Sequence, residues 1–318
     1  MAYSFMEEEA RPVQKITERR RQREPLLANR VQRQSRPSLV RAYAWRALQG
    51  AARTLPPEEL GLTRLELTLP HLPRHLDGLT MLHVTDLHLT GEADHPARGV
   101  PDLLKGVQCD LTVYTGDMVE DEAGREALPP LLHALRPREA AFAVLGNHDH
   151  YRYRHESGEG PRQNDLGPLL HAMETAGIEI LVNTNRRLYN GALCVVGVDD
   201  PALGRDDLDR AFVGVDPAEA TLLLAHSPDV LVRLGDHHPG LLLAGHTHGG
   251  QLRLPGLGPI GSISVLPRRY AMGLYVYEGV QTYVSRGIGT SGARARLNCP
   301  PEVTVITLRS SRVVSVVA

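Results

Sequence analysis

The amino-acid sequence predicts an α/β layered sandwich, and three observations carry that reading. Apolar runs of four to seven residues recur from residue 63 onward, the length of buried strands and not of helices. Helix-like stretches separate several of them, at 125–135, 166–176 and 229–235, and runs near the C-terminus follow one another closely enough to pair as hairpins. Five of the runs end in polar residues of the kinds that bind metals.

Composition excludes the other broad classes. The chain has 318 residues, 42% hydrophobic and 23% charged, which is ordinary for a globular protein and rules out collagen-like, coiled-coil and wholly disordered chains. Apolar stretches such as 221–225 fall far short of the ~20 residues that a membrane span needs, so no integral membrane segment is expected. Cys109, Cys194 and Cys299 are odd in number and far apart, as in a reducing compartment and not in a disulfide framework or a CxxC zinc site.

Charge is uneven along the chain. The net charge is −2, yet residues 11–53 hold eleven Arg and one Lys against Glu18 and Glu24. That local +10, with three Glu in residues 1–10, leaves −9 for residues 54–318. Residues 1–37 lack apolar periodicity and are expected to be a disordered Arg-rich arm. Arg19-Arg20-Arg21 could begin a twin-arginine export signal, but the polar segment that follows is no signal core, so a cytoplasmic location is expected. Residues 38–60 form a second unit. Ser38 can cap a helix in which Val40, Tyr43, Ala44, Ala47, Leu48 and Ala51 share one face, flanked by Arg41, Arg46 and Arg53. Such a basic amphipathic helix either packs on the body or lies on an anionic membrane surface. Through residues 11–53, a peripheral contact with the cytoplasmic membrane is the partner expected of the arm.

Residues 61–318 read as one catalytic domain. Its strands are expected at 63–69, 81–84, 111–114, 141–145, 193–198, 221–225, 241–244, 274–277, 282–285 and 303–308. The five polar strand ends are Val84-Thr85-Asp86-Leu87-His88, Thr115-Gly116-Asp117-Met118, Gly146-Asn147-His148-Asp149, Ala225-His226-Ser227 and Gly245-His246-Thr247-His248-Gly249. In α/β sheets the crevice beyond the carboxyl ends of the strands is the usual ligand site. Asp86 and His88 are two apart, so an extended backbone would project both to one side, as it would His246 and His248. Gly116, Gly146 and Gly245 each precede a candidate ligand and would let the chain turn sharply and pass close to a bound phosphate. Asp86, His88, Asp117, Asn147, His226, His246 and His248 are seven side chains, too many for one ion, and a carboxylate bridging two ions resolves the count. A donor set of carboxylate, amide and imidazole without Cys favours two divalent ions, Mn²⁺ first, with Fe or Zn²⁺ as alternatives.

In this order the five clusters resemble the calcineurin-like metallophosphoesterase superfamily, whose motifs run DxH, GDxx, GNH(D/E), H and GHxH. The resemblance covers roughly residues 62–309. A narrower resemblance, over 245–256, 285–292 and 296–302, is to bacterial membrane-associated phosphohydrolases similar to UDP-2,3-diacylglucosamine hydrolases. The resemblance implies a four-layer α/β/β/α sandwich with mixed sheets. It implies that Asp86, His88, Asp117 and His248 hold one metal, and that Asp117, Asn147, His226 and His246 hold the other. His148 matches the family's histidine that contacts phosphate or protonates the leaving oxygen, with Asp149, Glu120 or Asp121 to orient it.

The expected activity is hydrolysis of a phosphate ester or pyrophosphate bond in a phosphorylated small molecule or lipid-linked substrate. Arg152 and Arg154, just after the third cluster, are candidates to bind the substrate's anion. Arg268, Arg269, Arg286, Arg294 and Arg296 could also reach the rim. A nuclease of the same superfamily and a non-catalytic phosphate-binding scaffold are the alternatives. An acidic body with 4% aromatic residues makes nucleic acid an unexpected partner.

Overall fold

The structure, a computed structural model, describes residues 58–153, 161–292 and 294–311. The arm and nearly all of the 38–60 unit expected from the sequence therefore lie outside the described residues. No helix among the described residues is long and apolar enough to cross a membrane.

Along the chain come β1 (Gly61–Leu69), β2 (Thr80–Val84), β3 (Leu111–Thr115) and β4 (Ala140–Val144). A small antiparallel pair, β5 (Tyr151–Arg152) and β6 (Arg162–Gln163), precedes β7 (Ile178–Ile180), β8 (Thr184–Leu188) and β9 (Leu193–Gly197). Then follow β10 (Thr221–Leu224), β11 (Leu241–Ala244), a second small pair of β12 (Arg253–Leu254) and β13 (Gly258–Pro259), β14 (Gly273–Tyr277), β15 (Val280–Val284) and β16 (Glu302–Ser310). Helices α1 (Val100–Leu103), α2 (Glu122–Ala134), α3 (Asn147–His150), α4 (Gly167–Thr175) and α5 (Leu208–Ala211) lie between them.

Two six-stranded mixed sheets result, ordered β1-β16-β2-β3-β4-β7 and β14-β15-β11-β10-β9-β8. In the first, β2, β3, β4 and β7 are mutually parallel, while β16 runs antiparallel to β2 and parallel to β1. In the second, β9, β10, β11 and β15 are parallel, with β8 and β14 antiparallel at the edges. Side chains alternate across a strand, and here both faces are apolar. Met81, Leu111, Val113, Phe142 and Val144 of the first sheet pack with Leu193, Val195, Leu222, Leu224, Leu241 and Leu243 of the second. Their neighbours Leu82, Val84, Tyr114, Ala141 and Ala143 pack outward on Leu128, Leu131 and Leu132 of α2 and Leu169 and Met173 of α4. On the far side, Val196, Leu223 and Leu242 pack under Leu208 and Ala211 of α5 and under Val230 and Leu231. Three apolar seams between four layers are the expected α/β/β/α sandwich.

Local chemistry sets the helix boundaries. The Asp121 carboxylate accepts from the Gly124 N–H at 2.7 Å and starts α2. The stretch expected as a helix at 229–235 is instead a 3₁₀ helix, Pro228–Arg233. β8, TNRRL, is an edge strand whose Arg186 and Arg187 pair with Glu179 and Glu219.

A polar network crosses the seam between the sheets. Glu302 of β16 is buried and accepts from the Thr63 hydroxyl (2.6 Å), the Tyr283 hydroxyl (3.0 Å), the Ser285 hydroxyl (3.2 Å) and the Arg286 N–H (2.9 Å). Burial works against its charge, but the Arg286 guanidinium outweighs that and holds the carboxyl below its usual range. His83 of β2 lies in the same seam, with Nε2 2.8 Å from the Thr115 hydroxyl and its ring edge toward Tyr283. Burial, opposed in part by Glu302, lowers its pKa from 6.5 to about 4.

A histidine kept neutral in the folded state takes up its proton only on unfolding. The unfolded chain therefore binds more protons between about pH 6.5 and about pH 4, and stability must fall as the pH falls through that interval. The full effect of such a shift is about 3 kcal/mol. We expect His83→Gln to flatten the acid limb of the stability profile. Equilibrium denaturation of both proteins between those pH values is the measurement, and parallel slopes would refute the assignment.

Candidate metal centre

β2, β3 and β4 of one sheet and β10 and β11 of the other deliver their carboxyl ends to one place. The loops beyond them are locked by main-chain bonds: Asp86 N–H to Gly116 O (3.0 Å), His88 N–H to Asp117 O (3.0 Å) and Gly245 N–H to His226 O (2.9 Å). Asp86, His88, Asp117, His246 and His248 all have φ between 41° and 68°. Non-glycine residues avoid that left-handed region unless the surroundings over-determine it. The DxH and HxH pairs are thus brought inward by left-handed turns and not, as expected from their spacing, by an extended backbone.

Gly116 turns the chain as expected, with φ 90°, and the glycines before the ligands also make room for carboxylates. A Cβ on Gly245 would sit 2.1 Å from Asp86 Oδ2, and one on Gly146 would sit 2.3 Å from Asp117 Oδ1. The space that each vacates holds a carboxylate from another strand end of the site.

The structure brings together all seven residues expected as ligands, six of them buried and Asn147 half-buried. Around one point, His248 Nε2 lies 3.3 Å from Asp86 Oδ1 and 3.1 Å from His88 Nε2, and His88 Nε2 lies 3.3 Å from Asp117 Oδ2. Around a second, His226 Nε2 lies 3.2 Å from the same Asp117 Oδ2, 3.2 Å from Asn147 Oδ1 and 3.1 Å from His246 Nδ1.

Outer partners aim the rings. His226 Nδ1 donates to the Thr115 carbonyl at 2.7 Å, and His88 Nδ1 donates to Glu120 Oε2 at 2.8 Å, so both Nε2 atoms face inward. Hydrogen bonds of this kind fix the tautomer of a metal-binding histidine. The other Asp117 oxygen accepts from the His148 N–H at 2.8 Å.

The electrostatics match a cation site. Burial opposes the Asp117 charge, but the neighbouring His226 and His148 outweigh it and hold its carboxyl far below the usual range. Burial likewise opposes charge on His88 and His226, yet Asp117 pushes His88 to about 10, with help from Glu120, and lifts His226 well above the ordinary range. Burial and then His226 push His246 down to about 3, and burial, His88 and Arg296 depress His248. Two ring nitrogens therefore stay available as lone pairs, while the other two hold protons that a metal would displace. Carboxylates and imidazoles converging on two points, with one carboxylate oxygen common to both, fit divalent metal binding.

His148 lies beside the cluster. Of the three residues expected to orient it, Glu120 does so: its Oε2 accepts from His148 Nδ1 at 2.9 Å, the same oxygen that holds His88. Asp149 instead accepts from the N–H groups of Asp117 (2.8 Å), Met118 (2.9 Å) and Gly146 (2.8 Å), and Asp121 caps α2. Arg152 is exposed on β5, and Arg154 lies outside the described residues. Tyr153, between them, packs its ring on His148 with centroids 4.6 Å apart. The arginines expected at the rim are largely spent on structure. Arg286 pairs with Glu302, Arg294 pairs with Glu92 at 2.9 Å, and buried Arg296 donates to the carbonyls of Gly287 (3.2 Å), Gly289 (2.6 Å) and Cys299 (3.2 Å). Sequence reading also missed the His150–Asp199 pair (2.6 Å), because Asp199 follows β9, a strand end outside the five motifs.

Residues 79–250 match the profile of the family described as calcineurin-like phosphoesterase. The uncharacterized metallophosphoesterase YkuE of Bacillus subtilis is 28% identical over 272 residues, covering 82% of this chain and 90% of its own. The UDP-2,3-diacylglucosamine pyrophosphatase LpxG of Chlamydia muridarum is 26% identical over 301 residues, 80% of this chain and 91% of its own. Phosphodiesterase YaeI of Escherichia coli is 33% identical over 204 residues, 63% of this chain and 70% of its own.

A methyl group at residue 245 would drive Asp86 out of the cluster. We expect Gly245→Ala to lose most bound metal while the fold persists. Metal analysis alongside circular dichroism reads this, and full metal content in the variant would contradict the packing argument.

Proposed function

Because the chain belongs to the calcineurin-like phosphoesterase family and is a hydrolase, we propose that it cleaves a phosphate ester or pyrophosphate bond at a dinuclear centre. Asp86, His88, Asp117 and His248 would hold one ion, and Asp117, Asn147, His226 and His246 would hold the other. One observation carries this reading: Asp117 Oδ2 lies 3.3 Å from His88 Nε2 and 3.2 Å from His226 Nε2, so a single oxygen is shared by the two groups of candidate ligands. Two divalent cations held there, Mn²⁺ first and Fe or Zn²⁺ as alternatives, would supply charge neutralisation at the phosphate oxygens and a more acidic water.

The protein's own groups do the rest. Glu120 holds Nδ1 of His148, and Nε2, on the other side of the ring beside the Ser291 hydroxyl, gives a proton to the leaving oxygen. Buried walls exclude bulk water from the carboxylates and imidazoles and strengthen their hold on charge. Kinship with LpxG, a UDP-2,3-diacylglucosamine pyrophosphatase, supports a lipid-linked phosphate as the substrate class. Arg152 and Arg154 follow the third motif and are suited to the substrate's anionic group. Residues 11–53 contact an anionic cytoplasmic membrane, where each basic residue contributes about 1 kcal/mol.

Four outcomes test this reading. Metal analysis should find two ions per chain, and Asp117→Asn should weaken both. EDTA should abolish hydrolysis and Mn²⁺ should restore it; activity indifferent to chelation would end the proposal. His148→Asn should keep its metal yet lose about 10²–10⁴-fold in kcat on alkyl phosphates and far less on nitrophenyl phosphates, whose leaving group needs no proton. Full-length protein should sediment with anionic liposomes and a 54–318 truncation should not; equal pelleting would remove the membrane role from the arm.

A further inference from the structure

The loop at 287–292 packs on the metal cluster: a Cβ on Gly287 would lie 2.6 Å from Asp86 Cβ. The Gly289 N–H donates to the Asp86 carbonyl at 2.7 Å and anchors its start. Two residues on, Ser291 is half-buried, and its hydroxyl lies 3.2 Å from His148 Nε2. Gln251 fixes Ser291 there. The Gln251 side-chain oxygen accepts from the Ser291 N–H at 2.7 Å, and its side-chain N–H donates to the Ser291 carbonyl at 3.1 Å. Gln251 is itself buried and left-handed, with φ 47°, just after the last motif. Its main chain is tied as well, since its carbonyl accepts from the Leu297 N–H at 2.9 Å. One amide thus grips both main-chain groups of a single residue 40 positions away.

We propose that Ser291 is a positioning residue for proton transfer, that Gln251 holds it in place, and that the two aim Nε2 of His148 at the leaving oxygen. This rests on the reading of His148 as the acid. With Nδ1–H donated to Glu120, a neutral imidazole presents a lone pair at Nε2, and the Ser291 hydroxyl donates to it. With the ring protonated, Nε2–H donates to Ser291 Oγ until a leaving oxygen takes that place. A hydroxyl can be donor in one state and acceptor in the other, so the ring stays aimed through the cycle. In the step itself, the attacking water loses a proton to solvent as its oxygen forms the new bond to phosphorus. The bond to the leaving oxygen breaks with its electron pair on oxygen, and the Nε2 proton moves there. Ser291 O–H then donates to the freed Nε2 until solvent returns a proton. Tyr153 on the ring face and His88 at its edge, with centroids 4.6 Å away in each case, limit the remaining freedom of the ring.

The test uses Mn²⁺-loaded full-length protein on paired alkyl and nitrophenyl phosphates. Ser291→Ala should keep its metal and its KM, lose about tenfold in kcat on the alkyl substrate and change little on the nitrophenyl one. Ser291→Thr keeps the hydroxyl and should recover most of that loss, and Gln251→Met should behave like Ser291→Ala. Equal losses on both substrates, loss of metal, or failure of Thr to rescue would overturn the positioning role. His148→Asn, measured in parallel, separates the two readings. If it shows the leaving-group split and Ser291→Ala does not, only the positioning proposal fails. If neither shows the split, the acid role of His148 fails and the positioning proposal with it.

Discussion

The site turns on one oxygen. Asp117 Oδ2 faces two imidazoles from different sheets, His88 and His226, and so ties the two halves of the donor set together. Burying that carboxylate is costly, and it is tolerated because cationic or hydrogen-bonding groups surround it. The His148 N–H holds its second oxygen, and Asp149 accepts from its backbone N–H. Burial around Asp117 also concentrates charge, which explains why two rings hold protons and two do not. The apolar seams exist, in this sense, to carry five strained loop residues: left-handed φ at Asp86, His88, Asp117, His246 and His248 persists because rigid sheets on both sides over-determine it.

Much of this was legible in the chain. Strands buried on both faces read as continuous apolar runs, and all ten expected strands exist within a few residues of their expected limits. β8 was not legible because TNRRL is polar and half-exposed: an edge strand answers to charge pairing and not to core packing. The 3₁₀ geometry at Pro228–Arg233 was equally hidden, since periodicity does not separate it from an α-helix. At the site, residue types were readable and backbone conformation was not. Spacing suggested an extended DxH, whereas the chain uses left-handed turns. The choice of Glu120 over Asp149 and Asp121 depends on three carboxylates facing three different ways, which no linear pattern records. The arginines misled for a related reason. Arg286 and Arg296 have the composition of a substrate rim, but their partners, Glu302 and a set of loop carbonyls, are visible only once the sheets close.

β16 adds a constraint of another kind. It inserts between β1 and β2, pairing Gly61 with Glu302 and Thr80 with Thr307. A chain still emerging from the ribosome has made β1 and β2 long before their shared neighbour exists, so both strands wait with open edges, a state prone to mispairing. Such distant pairing also slows folding, because loop closure precedes any gain from contact. The loop that packs on Asp86 emerges just before β16. Packing of that loop on Asp86 and closure of the first sheet therefore fall at the same late moment of synthesis, and a truncated chain would lack both.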